Sequence, residues 1–478
     1  YPLTQILKKH MRTLRHKALL LAFSLLYVLS ACHSNKPQNL LQTIPQEVDY
    51  MGYIDLNRMD DLLSEETLRY HLSPKEMEHL AKLRTHMVGK GAIVYGDSAT
   101  QYITLFVKNA KRLKEDLAQL TDSISSDNGF EFVLLDSWNL AFNENQLWLS
   151  QQNFFTPLFE QSQYLSKSEG LSAQNIKGIK QLFDGDFGLY FNPKRHLEGA
   201  SWTRALSHEL QQNLRNTRFI ANASIKEKEI QIAYKLIGED GEPIEDKQDL
   251  TEKVDKDILK YIPDNCDLVL LLGMDGKEVS SLLEQTNQDA QTPDRKLLLG
   301  TLDGTVAFAA SLNRQSYYTT EEWSIVAQTK KGKEKEAVTL ALKLLDVQPQ
   351  STKRLGEDFI VNSNRYGDFY VGYRKGILFA ASRPINKFTP SFQEHPVSRA
   401  IQKGVGNLLI NVSPKSTVSQ YAREVLNYPF EGYVALRAQS MGEGKVVIHN
   451  DLETEVNMLQ GILKALRPIP TTEVNPEM

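Results

Sequence analysis

The side chains that could do chemistry are few, and most sit where geometry argues against it. Ser207-His208-Glu209 brings three hydrolase-type groups together. Adjacent residues on a helix point about 100° apart, so they cannot form a relay. His208-Glu209-Leu210-Gln211-Gln212 lacks the second His of a zinc protease motif. Asp184-Gly185-Asp186 lacks the further oxygen ligands of a calcium loop and reads as a turn before a strand. Gly273-Met274-Asp275-Gly276-Lys277-Glu278 misses the phosphate-loop spacing and has no Ser or Thr after Lys277. No catalytic residue, metal ligand or cofactor site is assigned.

Softer signals remain. Lys108, Lys111, Arg112 and Lys114 gather at one helix start, and Lys330, Lys331, Lys333 and Lys335 at another. Both read as solvated faces, with an anionic surface as the sharper alternative. Tyr366, Phe369, Tyr370 and Tyr373 read as strand aromatics in cross-strand pairs, with a glycan platform as the alternative.

The stretch that does carry chemistry ends in Cys32. A basic segment with Arg12, Arg15 and Lys17 leads into an apolar run from Ala18 to Ala31. A basic start, a short apolar run and small residues make a secretory signal peptide. The run is shorter than the roughly 18 residues needed to span a bilayer. Leu29-Ser30-Ala31-Cys32 resembles the lipobox of bacterial lipoproteins. The resemblance implies a diacylglyceryl group on Cys32, cleavage just before it, and a membrane partner held through that lipid. His33 follows, not an acid, so the expected location is the outer membrane of the cell envelope.

Composition bounds the rest. The chain has 478 residues, two cysteines and a net charge of −4. Residues before Cys32 include Lys8, Lys9, Arg12, Arg15 and Lys17 and no acid, so the processed body is more acidic still. That argues against nucleic acid, which needs a basic footprint. Cys266 has no partner for a disulfide and reads as an inert core thiol.

Along the chain, residues 1–31 are set apart as upstream residues and signal peptide, and 32–43 read as a tether. Ile44-Pro45-Gln46-Glu47-Val48-Asp49 and Ile262-Pro263-Asp264-Asn265-Cys266-Asp267 each lead into an apolar strand. Pro45 and Pro263 suit a strand start, and Asp49 and Asp267 are expected to cap the turn into it, with a paired functional acid in each half as the alternative. Later signals recur in the same order: Gly91–Tyr95 with Gly304–Phe308, Phe130–Ser150 with Asp368–Ser382, Phe187–Lys194 with Asn407–Lys415, and Phe219–Leu236 with Tyr433–Leu452. This ordered repetition predicts a tandem duplication. The domains are then 44–237 and 258–466, with an acidic linker at 238–257 and a tail at 467–478. Mixed helical and period-two spacing predicts α+β, each domain a mainly antiparallel sheet with packed helices.

The lipobox, the short tether and the Ile-Pro-x-x-x-Asp strand together resemble a family of uncharacterised lipoproteins of Gram-negative gut and oral bacteria. Phe183-Asp184-Gly185-Asp186-Phe187 and Leu302-Asp303-Gly304-Thr305-Val306 are similar to that family's Gly-containing step before a strand. Tyr50 and Leu268 depart from the family's usual alanine after the Asp. The resemblance implies no reaction. The expected role is non-catalytic binding or scaffolding of an envelope protein or glycan; the alternative is a periplasmic or surface hydrolase.

Overall fold

The computed structural model describes residues 37–44, 48–62, 74–96, 101–127, 129–135, 138–151, 178–194, 215–238, 252–276, 292–311, 322–345, 352–355, 358–363, 367–383, 390–414, 429–440, 442–453 and 457–465, with a few isolated positions between. The chain divides into two compact units. One comprises Tyr1–Glu227, Leu236–Glu242 and Thr454–Met478; the other comprises Lys228–Lys235 and Pro243–Glu453. The fold is α+β, and every strand pair given below is antiparallel. No helix among the described residues is long and apolar enough to cross a membrane.

In the first unit a 3-10 helix, Pro37–Thr43, precedes β1 (Tyr50–Asp55) and the short helix α1 (Leu56–Leu62). Then come α2 (Pro74–Arg84), β2 (Met87–Gly96), β3 (Gln101–Val107) and α3 (Ala110–Leu117). A meander follows: β4 (Ile124–Asp127), β5 (Phe130–Leu135), β6 (Trp138–Phe142) and β7 (Gln146–Gln151). After a 3-10 helix at Ile179–Phe183 come β8 (Phe187–Phe191) and β9 (Arg218–Ile225). The strand order is β4-β5-β6-β7-β3-β2-β1-β8-β9. Helix α3 starts where the Asn109 side chain accepts from the N–H of Arg112 at 3.0 Å, satisfying a donor that has no intrahelical partner. Its apolar residues Leu113 and Leu117, four apart, are both buried.

The second unit takes β10 (Glu229–Ile237) by its residues up to Lys235. A 3-10 helix, Lys256–Tyr261, precedes β11 (Leu268–Met274), α4 (Thr292–Thr301), β12 (Leu302–Ala310), β13 (Trp323–Thr329) and α5 (Glu334–Leu344). The meander here is β14 (Thr352–Leu355), β15 (Asp358–Ser363), β16 (Gly367–Arg374) and β17 (Ile377–Ala381). Lys375 and Gly376 both have positive φ, as a two-residue hairpin turn requires between β16 and β17. Short 3-10 turns at Phe392–Glu394 and Pro396–Ala400 lead to β18 (Gly406–Val412), β19 (Gly432–Ala438) and β20 (Glu443–Asn450). The order is β14-β15-β16-β17-β13-β12-β11-β18-β19-β20-β10. Its first nine strands repeat the first unit's order, and β20 and β10 extend it. Each unit also carries a register shift at the same step, between Val88 and Ile93 and between Leu302 and Val306.

Four boundaries differ from expectation. The tether was expected at 32–43, but Leu40 and Leu41 are buried in the first unit's core with Ile44, Tyr95 and Trp148. Burying each leucine is worth about 1.5–3 kcal/mol, which outweighs the polar look of the stretch. The Thr43 hydroxyl also accepts from Gln146 Nε2 at 2.8 Å. The acidic linker stops short of 257: Val254 is buried, its N–H donates to Gly404 O at 2.8 Å, and Asp255 caps the 3-10 helix after it. Residues Glu229–Lys235 pair with β20, so the first half of the chain gives up its last strand to the second unit. The C-terminal helix Met458–Ala465 belongs to the first unit: Asn457 Nδ2 donates to Leu62 O at 2.9 Å and Met458 N to Glu227 O at 3.2 Å. Apart from these boundaries, Asp358–Ser363 holds in the second unit's strand order the place of Phe130–Leu135 in the first, a strand that the match to Asp368–Ser382 leaves out.

Candidate functional site

In the second unit, alternate residues of each strand point to opposite faces of the sheet. One face forms a closed core: Val269, Leu271, Ala307, Ala309, Val326, Leu409 and Ala435 pack with Ile258, Leu259 and Phe392 from the 3-10 segments. The opposite face is also apolar, which is unusual. Its central row is read from the register. Leu270 lies opposite Phe308 and Leu408; Phe308 lies opposite Ile325. Leu408 lies opposite Leu436, Leu436 opposite Val446, and Val446 opposite Ile232. The row crosses seven strands without a polar side chain. A parallel row runs from Leu268 through Ile410, Val434 and Ile448 to Ile230.

Helices α4 and α5 cover this face only at one side, where Ala337, Val338, Leu298 and Leu299 pack on Leu302, Ala327 and Leu378. Beyond them the rows are partly exposed. Leu272 is 46% and Ile325 43% exposed. The backbone groups beneath are taken by ladder bonds, so the face offers hydrocarbon and almost no hydrogen bonding.

The outer strands invert the usual amphipathic arrangement. On their other face β10 and β20 carry Glu229, Gln231, Lys235, Glu443, Lys445 and His449. Lys445 Nζ bonds Gln231 Oε1, Lys235 pairs with Glu443 at 3.5 Å, and His449 Nε2 lies 3.2 Å from Asp451 and stacks on Tyr433.

A second feature is an open groove of about 500 Å³ lined by Glu252, Asp255, Asp303, Gln328 and Lys375. Gln328 orders it: its Nε2 donates to Asp255 Oδ2 at 2.7 Å and its Oε1 accepts from Thr305 N at 2.6 Å. Burial, then Asp303 and Asp275, push the Glu252 carboxyl above its ordinary value. No group of three or more His, Cys, Asp or Glu suited to a metal occurs among the described residues.

The sequence candidates disperse. Ser207, His208, Glu209, Tyr366, Lys277, Pro45 and Cys32 lie outside the described residues. Asp186 is a clamp: its Oδ1 accepts from Arg58 Nε at 3.1 Å and its Oδ2 from Ile225 N at 2.7 Å. At Gly273 a Cβ would lie 1.9 Å from Glu252 O, so this glycine serves close backbone packing. Cys266 is fully buried, and burial first, then Asp267, raises its thiol far above the ordinary value. Phe369 packs beside Trp323 at 5.6 Å, and Tyr370 and Tyr373 pack against opposite cores, so these aromatics form no platform. Lys114 pairs with Glu131 at 2.7 Å and Lys333 with Glu336 at 2.5 Å, while Lys108, Lys111 and Arg112 are exposed. Asp49 and Asp267 are buried and lengthen the ladders: Asp49 N donates to Gly96 O and Asn192 N to Asp49 O, as Asp267 N does to Ala310 O and Asn411 N to Asp267 O.

Sequence reasoning missed two features. His86, buried, sits 2.6 Å from Asp116 across thirty positions of chain, with no motif to announce it. The aliphatic face was missed because Leu268–Leu272 is apolar at every position, which reads as a strand covered on both sides.

No known protein family matches the chain, and no curated protein does. Among solved structures, crystal form I of TP0453 matches over 41% of this chain and 77% of its own, at 9% identity and a TM-score of 0.28. Crystal form IV of TP0453 matches over 41% and 79%, at 7% identity and the same TM-score.

Proposed function

We propose that this is a lipid-anchored protein of the bacterial cell envelope, held in the outer membrane by Cys32, with a non-catalytic binding role. The observation that carries the reading is the order of residues ending at Cys32: basic segment, short apolar run, Ser30 and Ala31, then the thiol. A single acyl chain of myristoyl size binds a membrane marginally, whereas a diacyl group is a stable anchor. The aliphatic sheet face supports binding over catalysis, since it presents no nucleophile, acid or base. The matching strand orders support a body made by tandem duplication, and the Ile-Pro strands support kinship with the uncharacterised lipoprotein family.

The test is metabolic labelling with a clickable palmitate analogue in a Gram-negative host, followed by membrane fractionation. The wild-type chain incorporates label and fractionates with the outer membrane; Cys32→Ser takes up none and keeps its signal segment. Label persisting in Cys32→Ser overturns the reading.

A further inference from the structure

We propose that the partly exposed aliphatic face of the second unit holds an acyl chain of a membrane phospholipid. The inference rests on the reading that Cys32 keeps the protein at a bilayer.

The chemistry of the face selects the occupant. A peptide brings N–H and C=O groups that cost free energy when buried without partners. The central row has none to give: its side chains are hydrocarbon and its backbone groups are spent in the ladders on both sides. An acyl chain asks for no hydrogen bond, and each methylene it buries is worth about 0.8 kcal/mol.

Dimensions agree. Strands lie about 4.8 Å apart, so the row from Ile325 to Ile232 runs about 29 Å. That exceeds one leaflet's share of the roughly 30 Å hydrocarbon core, so a full chain lies along it. The inverted polarity of β10 and β20 fits as well. Their charged groups are paired on one side, leaving Ile230, Ile232, Val446 and Ile448 partly exposed on the other.

Supply is set by the tether. The described residues begin at Pro37, and Leu40 and Leu41 are in the first unit's core. Consecutive Cα atoms are 3.8 Å apart, so whatever path His33–Lys36 take, Pro37 lies within about 19 Å of Cys32. The first unit is therefore held at the surface of the bilayer, and the second unit, on the same chain, meets phospholipid as the abundant apolar molecule there.

The experiment uses the full chain reconstituted in vesicles of phosphatidylethanolamine and phosphatidylglycerol doped with a phosphatidylethanolamine bearing a diazirine in one acyl chain. After irradiation, adducts are mapped by mass spectrometry. The expected adducts fall on β11, β18, β19 and β20. Leu272→Gln combined with Ile325→Gln, both at exposed positions, lowers labelling there roughly ten-fold, the loss of about 1.4 kcal/mol, while Leu272→Met with Ile325→Leu preserves it. Thermal unfolding of each variant confirms folding. Adducts absent from these strands, labelling unmoved by the glutamine pair, or a face-to-face dimer crosslink in place of lipid overturns the proposal. Cys32→Ser in the same vesicles separates the two readings. Adducts on the strands of a chain that takes up no palmitate in either form retain the acyl site and remove the anchor; palmitate uptake without strand adducts does the reverse.

Discussion

The two units share one order of strand pairing and differ in what the strands carry. In the second unit the half-open face is a continuous aliphatic surface. At the matching place in the first unit, Gly52 stands opposite Val94 and Leu189, and only Leu189 is well exposed. The cores diverge as well. Trp148 and Ser150 on β7 occupy the pairing positions that Phe379 and Ala381 hold on β17. The Trp148 Nε1 and Ser150 Oγ are buried with no hydrogen-bond partner. Lys108 N donates to His86 O in one unit as Lys330 N donates to Thr301 O in the other, yet only His86 reaches an acid. Main-chain pairing is thus indifferent to which face is wet, because the two faces of a strand are filled by separate sets of residues.

The largest test of that separation exchanges the core polarity. Ala381→Ser puts a hydroxyl into a fully buried site of the second unit and is expected to cost about 2–3 kcal/mol in urea unfolding. The reverse change, Ser150→Ala, removes a buried hydroxyl with no hydrogen-bond partner and is expected to stabilise the chain by about 1–3 kcal/mol. Equal costs would show that the two cores are not the interchangeable frames their strand orders suggest. The next effect is smaller. Asp116→Ala leaves buried His86 without its 2.6 Å partner and is expected to cost about 1–2 kcal/mol. Asp116 is 44% exposed, so water replaces part of the lost bond. An unchanged unfolding midpoint would mean the pair is incidental to the first unit.

The legible part of the fold was whatever repeats locally. The Ile-Pro strands and the Gly-containing steps show in the sequence because each is a short-range requirement. What was not legible depends on distance. Leu40 and Leu41 look like tether until the sheet they cover exists. Glu229–Lys235 read as the first domain's last strand, and nothing local says that β20 is its partner. Asp358–Ser363 escaped the repeat matching because its connections differ in length from those around Phe130–Leu135. The candidate face was hidden by its own uniformity: a run such as Leu-Val-Leu-Leu-Leu has no alternation, so it cannot say which face is covered.

The smallest effect sharpens the comparison at the 3-10 segments before β8 and β18. Ile179–Phe183 in the first unit contains no histidine, whereas His395 opens the second unit's Pro396–Ala400 turn. Its ring stacks on Phe392 at 5.2 Å, and its Nδ1 accepts from Val397 N at 3.3 Å. Burial lowers its pKa below the ordinary value, with Asp264 opposing. The folded chain therefore keeps His395 neutral at a pH where the unfolded chain already binds a proton. Stability is fully present above the ordinary value of about 6.5 and falls as pH drops from there toward the folded value. Protonation also removes the lone pair that Val397 N–H uses. Because the ring is partly exposed, the effect is small in global unfolding and is best read locally. Hydrogen exchange at Val397, corrected for the intrinsic rate, is expected to lose protection between about pH 7 and pH 5.5 in the wild type. The same amide in His395→Gln should show no such step, nor should the N–H of Gln181 in the first unit, which donates to Gly178 O. A step of equal size in both segments would assign the pH response to the shared frame and not to His395.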